Sequence, residues 1–134
     1  MIIQIDYSTT VNDIQRLFQK AYPFLKIEFA DKPHLFSEPT IDPAWYAPGE
    51  RILNIATKDR LGFITFYPWD KTGNLEREFH DKFGLYPQIF RRHEDEWLQS
   101  AGSDELSLEE QNELGKESLE QTLGFYWLRN EIVL

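Results

Sequence analysis

Residues 2–29 (IIQIDYSTTVNDIQRLFQKAYPFLKIEF) and residues 63–90 (FITFYPWDKTGNLEREFHDKFGLYPQIF) carry one apolar pattern, 61 residues apart. Ile2, Ile3, Ile5, Ile14, Phe18, Tyr22, Phe24 and Phe29 fall on Phe63, Ile64, Phe66, Leu75, Phe79, Phe83, Leu85 and Phe90. Each copy opens with an alternating run, continues with apolar residues three and four apart, and closes on a second alternating run. Those periods are strand, helix, strand. Thr10 with Asp13 forms a capping box at the first helix, and Pro23 ends it because proline has no amide hydrogen to donate. Gly84 suits the end of the second helix. Pro68 stops the strand 61–67, and Pro87 in the strand 85–91 suggests an edge position or a bulge.

The same rules extend outward. Residues 31–50 hold Pro33, Pro39, Pro43, Pro48 and Gly49 and read as a long proline-rich loop. Ile52, Leu53 and Ile55 fit either a short strand or a helical turn. His93 to Glu96 is a polar turn, with 97–99 returning as a hairpin strand. Ser107 with Glu110 caps a third helix whose body, EEQNELGKE, shows almost no apolar stripe and is expected to face water. The order β-α-β, loop, β-α-β predicts an α+β fold of ferredoxin-like βαββαβ type. Two helices would pack on a four-stranded antiparallel sheet, with an added hairpin strand, a third acidic helix and an apolar C-terminal tail. A chain of 134 residues is expected to make one domain, 1–134.

The tail 119–134 contains Leu119, Leu123, Phe125, Tyr126, Trp127, Leu128, Ile132, Val133 and Leu134. So apolar an end is expected to pack on its own domain or on a partner. The uncovered face of the predicted sheet would carry Ile2, Phe63 and Tyr67, and the tail is the nearest cover. Burying four large side chains there would contribute on the order of 6–12 kcal/mol before ordering costs.

Composition bounds the rest. An apolar fraction of 41% with ten Phe, six Tyr and four Trp is enough for a core. There is no cysteine, so disulfides, thiolate metal sites and a cysteine nucleophile are all absent. No apolar run reaches membrane-spanning length, and the N-terminus lacks the basic flank of a signal peptide. A cytoplasmic location is expected. The net charge of −9 arises from one window: Glu94–Glu120 holds ten acids and one base, while the remaining bases and acids cancel. That block repels phosphate backbones and anionic lipid and attracts basic surfaces. It also fits a merely solvated helix.

No reactive set is legible. His34, His80 and His93 are not spaced as metal ligands, and the seven glycines are isolated, so no phosphate-cradling loop is present. The acids cluster where nothing suggests burial, which leaves their pKa values ordinary. Catalytic, cofactor and metal residues are therefore expected to be none. Arg91, Arg92 and Trp97 make a plausible recognition spot, because guanidinium and indole groups are common at binding hot spots. The alternative pairs the two arginines with Glu94, Asp95 or Glu96 across the turn.

Two resemblances bear on function. The run Gly62-Phe63-Ile64-Thr65-Phe66, within the β-α-β-β-α-β order, resembles the aromatic strand signature of RNA-recognition-motif domains. That likeness implies stacking of single-stranded RNA bases on Phe63. This sequence departs from the signature at Leu61, Gln4 and Asp59. FGLYPQIFRR, Trp97 and SLEEQNELG resemble a small bacterial α+β family with no established activity, over about the second half of the chain. This likeness implies a fold and no mechanism. The expected function is a non-enzymatic protein–protein interaction module, with a protein partner or a second copy bound near Arg91, Arg92, Trp97, Phe63 and Tyr67. A variant of that reading is an acidic protein that masks a basic enzyme. Nucleic acid is disfavoured by charge. The alternatives are RNA binding by the sheet face, and a small-molecule or hydrolytic site under the proline-rich loop using His34 and Glu38.

Overall fold

Ile3 lies directly opposite Ile64, its own counterpart 61 residues on, and the rest of the structure can be built from that rung. In the computed structural model, residues 1–33, 44–58 and 61–130 are described, with the backbone alone at 101 and 125–130. The strands β1 (Ile2–Ile5) and β3 (Gly62–Thr65) pair antiparallel about the Ile3–Ile64 rung. Like units related by a two-fold axis pair in this way. Ile3, Ile5, Ile64 and Phe66 are buried on one side. The other side carries Ile2, Gln4, Phe63 and Thr65.

The second strands form a separate sheet. β2 (Leu25–Ala30) pairs antiparallel with β4 (Tyr86–His93), which also pairs with β5 (Glu96–Gln99). The predicted single four-stranded sheet is thus corrected to two sheets, β1–β3 and β2–β4–β5, among the described residues. Each strand of the first unit pairs with a strand of the second, but among the described residues no pairing of β1 with β4 or of β2 with β3 joins the two sets. The α+β class holds. Helices α1 (Val11–Ala21) and α3 (Thr72–Phe83) supply Val11, Ile14, Phe18, Leu75, Phe79 and Phe83 to one buried cluster with the inner residues of both sheets.

The two halves match beyond the apolar pattern. The first amides of a helix have no partner inside it. Here Val11 N donates to Glu50 O and Asn12 N to Pro48 O, while Thr72 N donates to Leu106 O and Gly73 N to Asp104 O. Thr10 bridges Arg51 just as Lys71 bridges Ser107. Ile52 N then donates to Thr9 O at the start of α2 (Ile52–Ile55), and Leu108 N to Asp70 O at the start of α4 (Leu108–Asn130). The undecided segment at Ile52 is therefore a helical turn, the short counterpart of α4.

Both capping boxes form. Thr10 Oγ1 accepts from Asp13 N at 3.1 Å, and Asp13 Oδ2 from Thr10 N at 2.9 Å. Ser107 Oγ accepts from Glu110 N at 3.0 Å, and Glu110 Oε1 from Ser107 N at 3.1 Å. Gly84 ends α3 at φ 66, and a Cβ there would sit 1.7 Å from Thr57 Oγ1, so only glycine fits. Pro87 lies in the central strand, but β5 pairs only from Phe90 onward, so at Pro87 the strand has β2 alone as neighbour.

In the second sheet the repeat slips by one residue. Ile27 pairs with Ile89 and Phe29 with Pro87, so the inward row of β4 is Pro87, Ile89 and Arg91. A one-residue shift turns every side chain over. Phe90, matched to Phe29 in the sequence pattern, thus faces the opposite side.

α4 is one continuous helix, and it docks by polar contacts. Gln111 is fully buried: its Nε2 donates to Ser103 O at 2.7 Å and Ser103 Oγ at 2.8 Å, and its Oε1 accepts from Arg91 Nη1 at 3.1 Å. Asn112 Oδ1 accepts from Phe24 N at 2.9 Å. Ser118 Oγ accepts from Glu94 N at 2.8 Å, in the β4–β5 turn. The expectation that most of this helix faces water holds for its acidic side, where Glu109, Glu110, Glu113, Glu117 and Glu120 are exposed. It fails for the line Leu108, Gln111 and Gly115.

Two predictions follow from packing. At Gly115 a Cβ would lie 2.9 Å from Phe24 O and 3.0 Å from Phe24 Cβ. Helix propensity alone favours alanine over glycine by about 1 kcal/mol, but overpacking against backbone costs about 1–3 kcal/mol. Gly115→Ala is therefore expected to lower stability in urea unfolding, and Gly124→Ala, with nothing within 4 Å, to leave it unchanged or raise it. Tyr22 packs on Phe18 and Phe66. Burial, and then the Asp70 and Glu109 carboxylates, push its phenol above the ordinary value. The fold favours the neutral phenol, so this contribution is full below the unfolded pKa of about 10 and is lost as pH rises through the higher folded value. Unfolding midpoints measured above neutral pH should fall more steeply in the native chain than in Tyr22→Phe.

Candidate binding surfaces

The slip in β4 builds the first surface. Phe90 and Arg92 face outward beside Lys26 and Glu28 of β2 and Trp97 of β5. Lys26 Nζ lies 4.8 Å from the Phe90 ring centroid and 5.4 Å from that of Trp97. The Arg92 guanidinium lies 5.3 Å from Trp97. Trp45, bridged to Ala30 at the β2 edge, meets Phe90 edge-on at 5.6 Å. All five side chains are half-buried. Glu28 Oε1, 3.7 Å from Lys26 Nζ, partly offsets the positive charge. Cations over rings add about 0.5–1 kcal/mol at exposed sites.

Arg91 does not belong to this surface. The predicted trio is divided by strand alternation: Arg92 and Trp97 face out, while Arg91 faces inward and holds Gln111 of α4. The expected ion pairs from these arginines to Glu94, Asp95 or Glu96 are not formed among the described residues. Phe90, Lys26 and Trp45 were not singled out by sequence, because an apolar repeat assigns Phe90 to the core. The pairing register, which exposes it, is a nonlocal fact.

The second surface is the outer side of β1–β3. Ile2 is 65% exposed, Phe63 57% and Trp69 70%, with Leu61 and Tyr67 also exposed. The Tyr67 and Trp69 rings stack at 4.9 Å with 1° between planes. The tail was expected to cover this face. Among the described residues α4 lies against β4 and β2 and this face stays exposed; the side chains of 125–130 and residues 131–134, which make up most of that tail, lie outside the described residues. The physical reason is direction. α4 starts beside the face, where Glu109 N donates to Pro68 O, and then runs past Phe24 and Arg91 toward the β4–β5 turn. At about 1.5 Å per residue its end lies roughly 30 Å from its start.

A cavity of about 170 Å³ opens between α3 and β4, lined by Gly73, Glu76, Arg77, His80, Tyr86 and Pro87. It is small beside the several hundred Å³ typical of ligand pockets. Glu76 is buried, and its Oε1 accepts from Ile89 N at 3.0 Å, which satisfies a strand amide beyond the reach of β5. His80 stacks on Tyr86 at the cavity rim, and His93 is exposed in its turn. His34 and Glu38, invoked for a site under the proline-rich loop, lie outside the described residues, as do Asp59 and residues 131–134. Among the described residues, no group of three His, Cys, Asp or Glu side chains could hold a metal ion. No described helix is long and apolar enough to cross a membrane.

With the geometry in place, comparison with family models, curated proteins and solved structures gives no match.

Glu76→Ala should leave the Ile89 amide buried without its acceptor. The expected loss is about 1–3 kcal/mol in urea unfolding. A change below about 0.5 kcal/mol would mean that the contact is dispensable.

Proposed function

We propose that the chain is a non-enzymatic protein–protein interaction module that binds through the outer face of β1–β3. One observation carries this reading: Ile2 and Phe63 on the outer side of β1–β3, and Leu61, Tyr67 and Trp69 on the segments flanking β3, are all exposed. Contiguous apolar patches of this kind mark interaction sites. Aromatic side chains at such a patch lose little entropy on binding and bury large areas. The Arg92–Trp97 surface is a further contact region in the same proposal. The likeness to a bacterial α+β family and a cytoplasmic location belong to it too. The second is supported by the cysteine-free sequence.

A second reading is favoured by the exposed Phe63 and the Tyr67–Trp69 stack, on which single-stranded RNA bases would stack. The charge of −9 opposes it, since phosphate neutralisation supplies most RNA affinity. A fluorescence titration with a mixed oligonucleotide at low salt separates the two.

Phe63→Glu removes the centre of the patch without touching the core. The tagged native chain, incubated with its own cell extract and with an untagged second copy, is expected to retain a protein partner that Phe63→Glu loses by at least tenfold. Equal retention by both chains would overturn the proposal.

A further inference from the structure

The occupant of the β1–β3 face can be named from the way α4 is placed. We infer that the face is covered by the C-terminal half of α4 from a second copy, in a two-fold dimer with the α4 helices antiparallel. The inference rests on the interaction reading above and specifies its partner.

Three observations converge. First, α4 begins at the rim of the face, with Leu108 N bonded to Asp70 O and Glu109 N to Pro68 O, next to Tyr67 and Trp69. Among the described residues, its last side-chain bond to the sheets is Ser118 to Glu94, at the β4–β5 turn. The helix continues twelve residues further, to Asn130. It therefore carries its end away from its own chain's apolar face, and a straight helix cannot turn back.

Second, that projecting half is apolar in sequence. Leu119 and Leu123 are followed by Phe125, Tyr126, Trp127 and Leu128. Leu123 is exposed, as is Leu114 in the middle of the helix. One chain thus has an exposed apolar face near the start of this helix and, at its other end, a stretch that is apolar in sequence and opens with the exposed Leu123.

Third, symmetry brings them together. When two α4 helices pack antiparallel across a two-fold axis, the end of each arrives at the start of the other. That start is the rim of the uncovered face. The contact is made twice and closes, so it yields a dimer rather than a filament. The acidic first turns of each helix (Glu109, Glu110, Glu113) then lie beside the other helix's C-terminal turns, where the sequence supplies Arg129. Antiparallel helix dipoles also attract. The wrong arrangement, with the helices parallel, would put acidic block against acidic block.

The test uses the full chain and two variants at exposed positions, Phe63→Glu on the face and Leu123→Glu on the helix end. Circular dichroism and urea midpoints verify that each folds. Sedimentation velocity from micromolar to sub-millimolar concentration should show a dimer for the native chain. Each variant alone should dissociate at least tenfold more readily. An equimolar mixture of the two should regain dimer, because one of its two contacts pairs an intact face with an intact helix end. A monomeric native chain overturns the inference, as does a dimer that survives either variant, or a mixture that regains nothing. A monomeric chain that still retains a different protein through Phe63 defeats this inference alone. A chain that retains nothing defeats the interaction reading as well.

Discussion

The pairing of Ile27 with Ile89, rather than with Gln88, governs most of what is distinctive in this molecule. Constant spacing would set Ile27 against Gln88. A shift of one residue exchanges the two faces of β4. Phe90 and Arg92 turn outward to meet Trp45, Lys26 and Trp97. Arg91 turns inward to bond Gln111. That bond, with the contacts of Asn112 to Phe24 and Ser118 to Glu94, holds α4 on β4. The direction in which α4 leaves the body is thereby fixed, and among the described residues the β1–β3 face stays exposed.

Much of the framework was legible because it is local. Both capping boxes, the glycine end of α3, the stops at Pro23 and Pro68 and the strand–helix–strand order of each half all follow from residues within a few positions of one another. The repeat itself was legible as well, and the structure extends it to the backbone bonds that start α1 and α3. What was not legible is pairing. Alternation identifies a strand and its two faces but not its neighbour, so four strands were placed in one sheet where the described residues pair them as two sets. The slip in β4 is hidden for the same reason: FGLYPQIF falls on the first copy at Phe83, Leu85 and Phe90, and only the partner strand reveals the offset.

The docking of α4 shows a different limit. Hydrophobic periodicity finds helices that bury an apolar stripe. This one buries Gln111 and Gly115 and hydrogen-bonds through Asn112, with Ser118 bonded just beyond, so EEQNELGKE reads as solvated although it is anchored. A fully satisfied buried amide is specific about position, because every displaced bond leaves a polar group in a dry interior. The candidate residues fared according to which face they occupy. Phe63 and Tyr67 are both exposed, Arg92 and Trp97 are half-buried together on the outer side of the other sheet, and Arg91 turns inward to Gln111.

Hydrogen exchange followed by mass spectrometry, repeated over a range of protein concentrations, tests the central claim most directly. If the uncovered face and the projecting helix end meet between copies, amides in 61–69 and 119–130 will slow together as concentration rises, while those of α1 and β2 stay constant. Exchange in both segments that is independent of concentration would contradict the account.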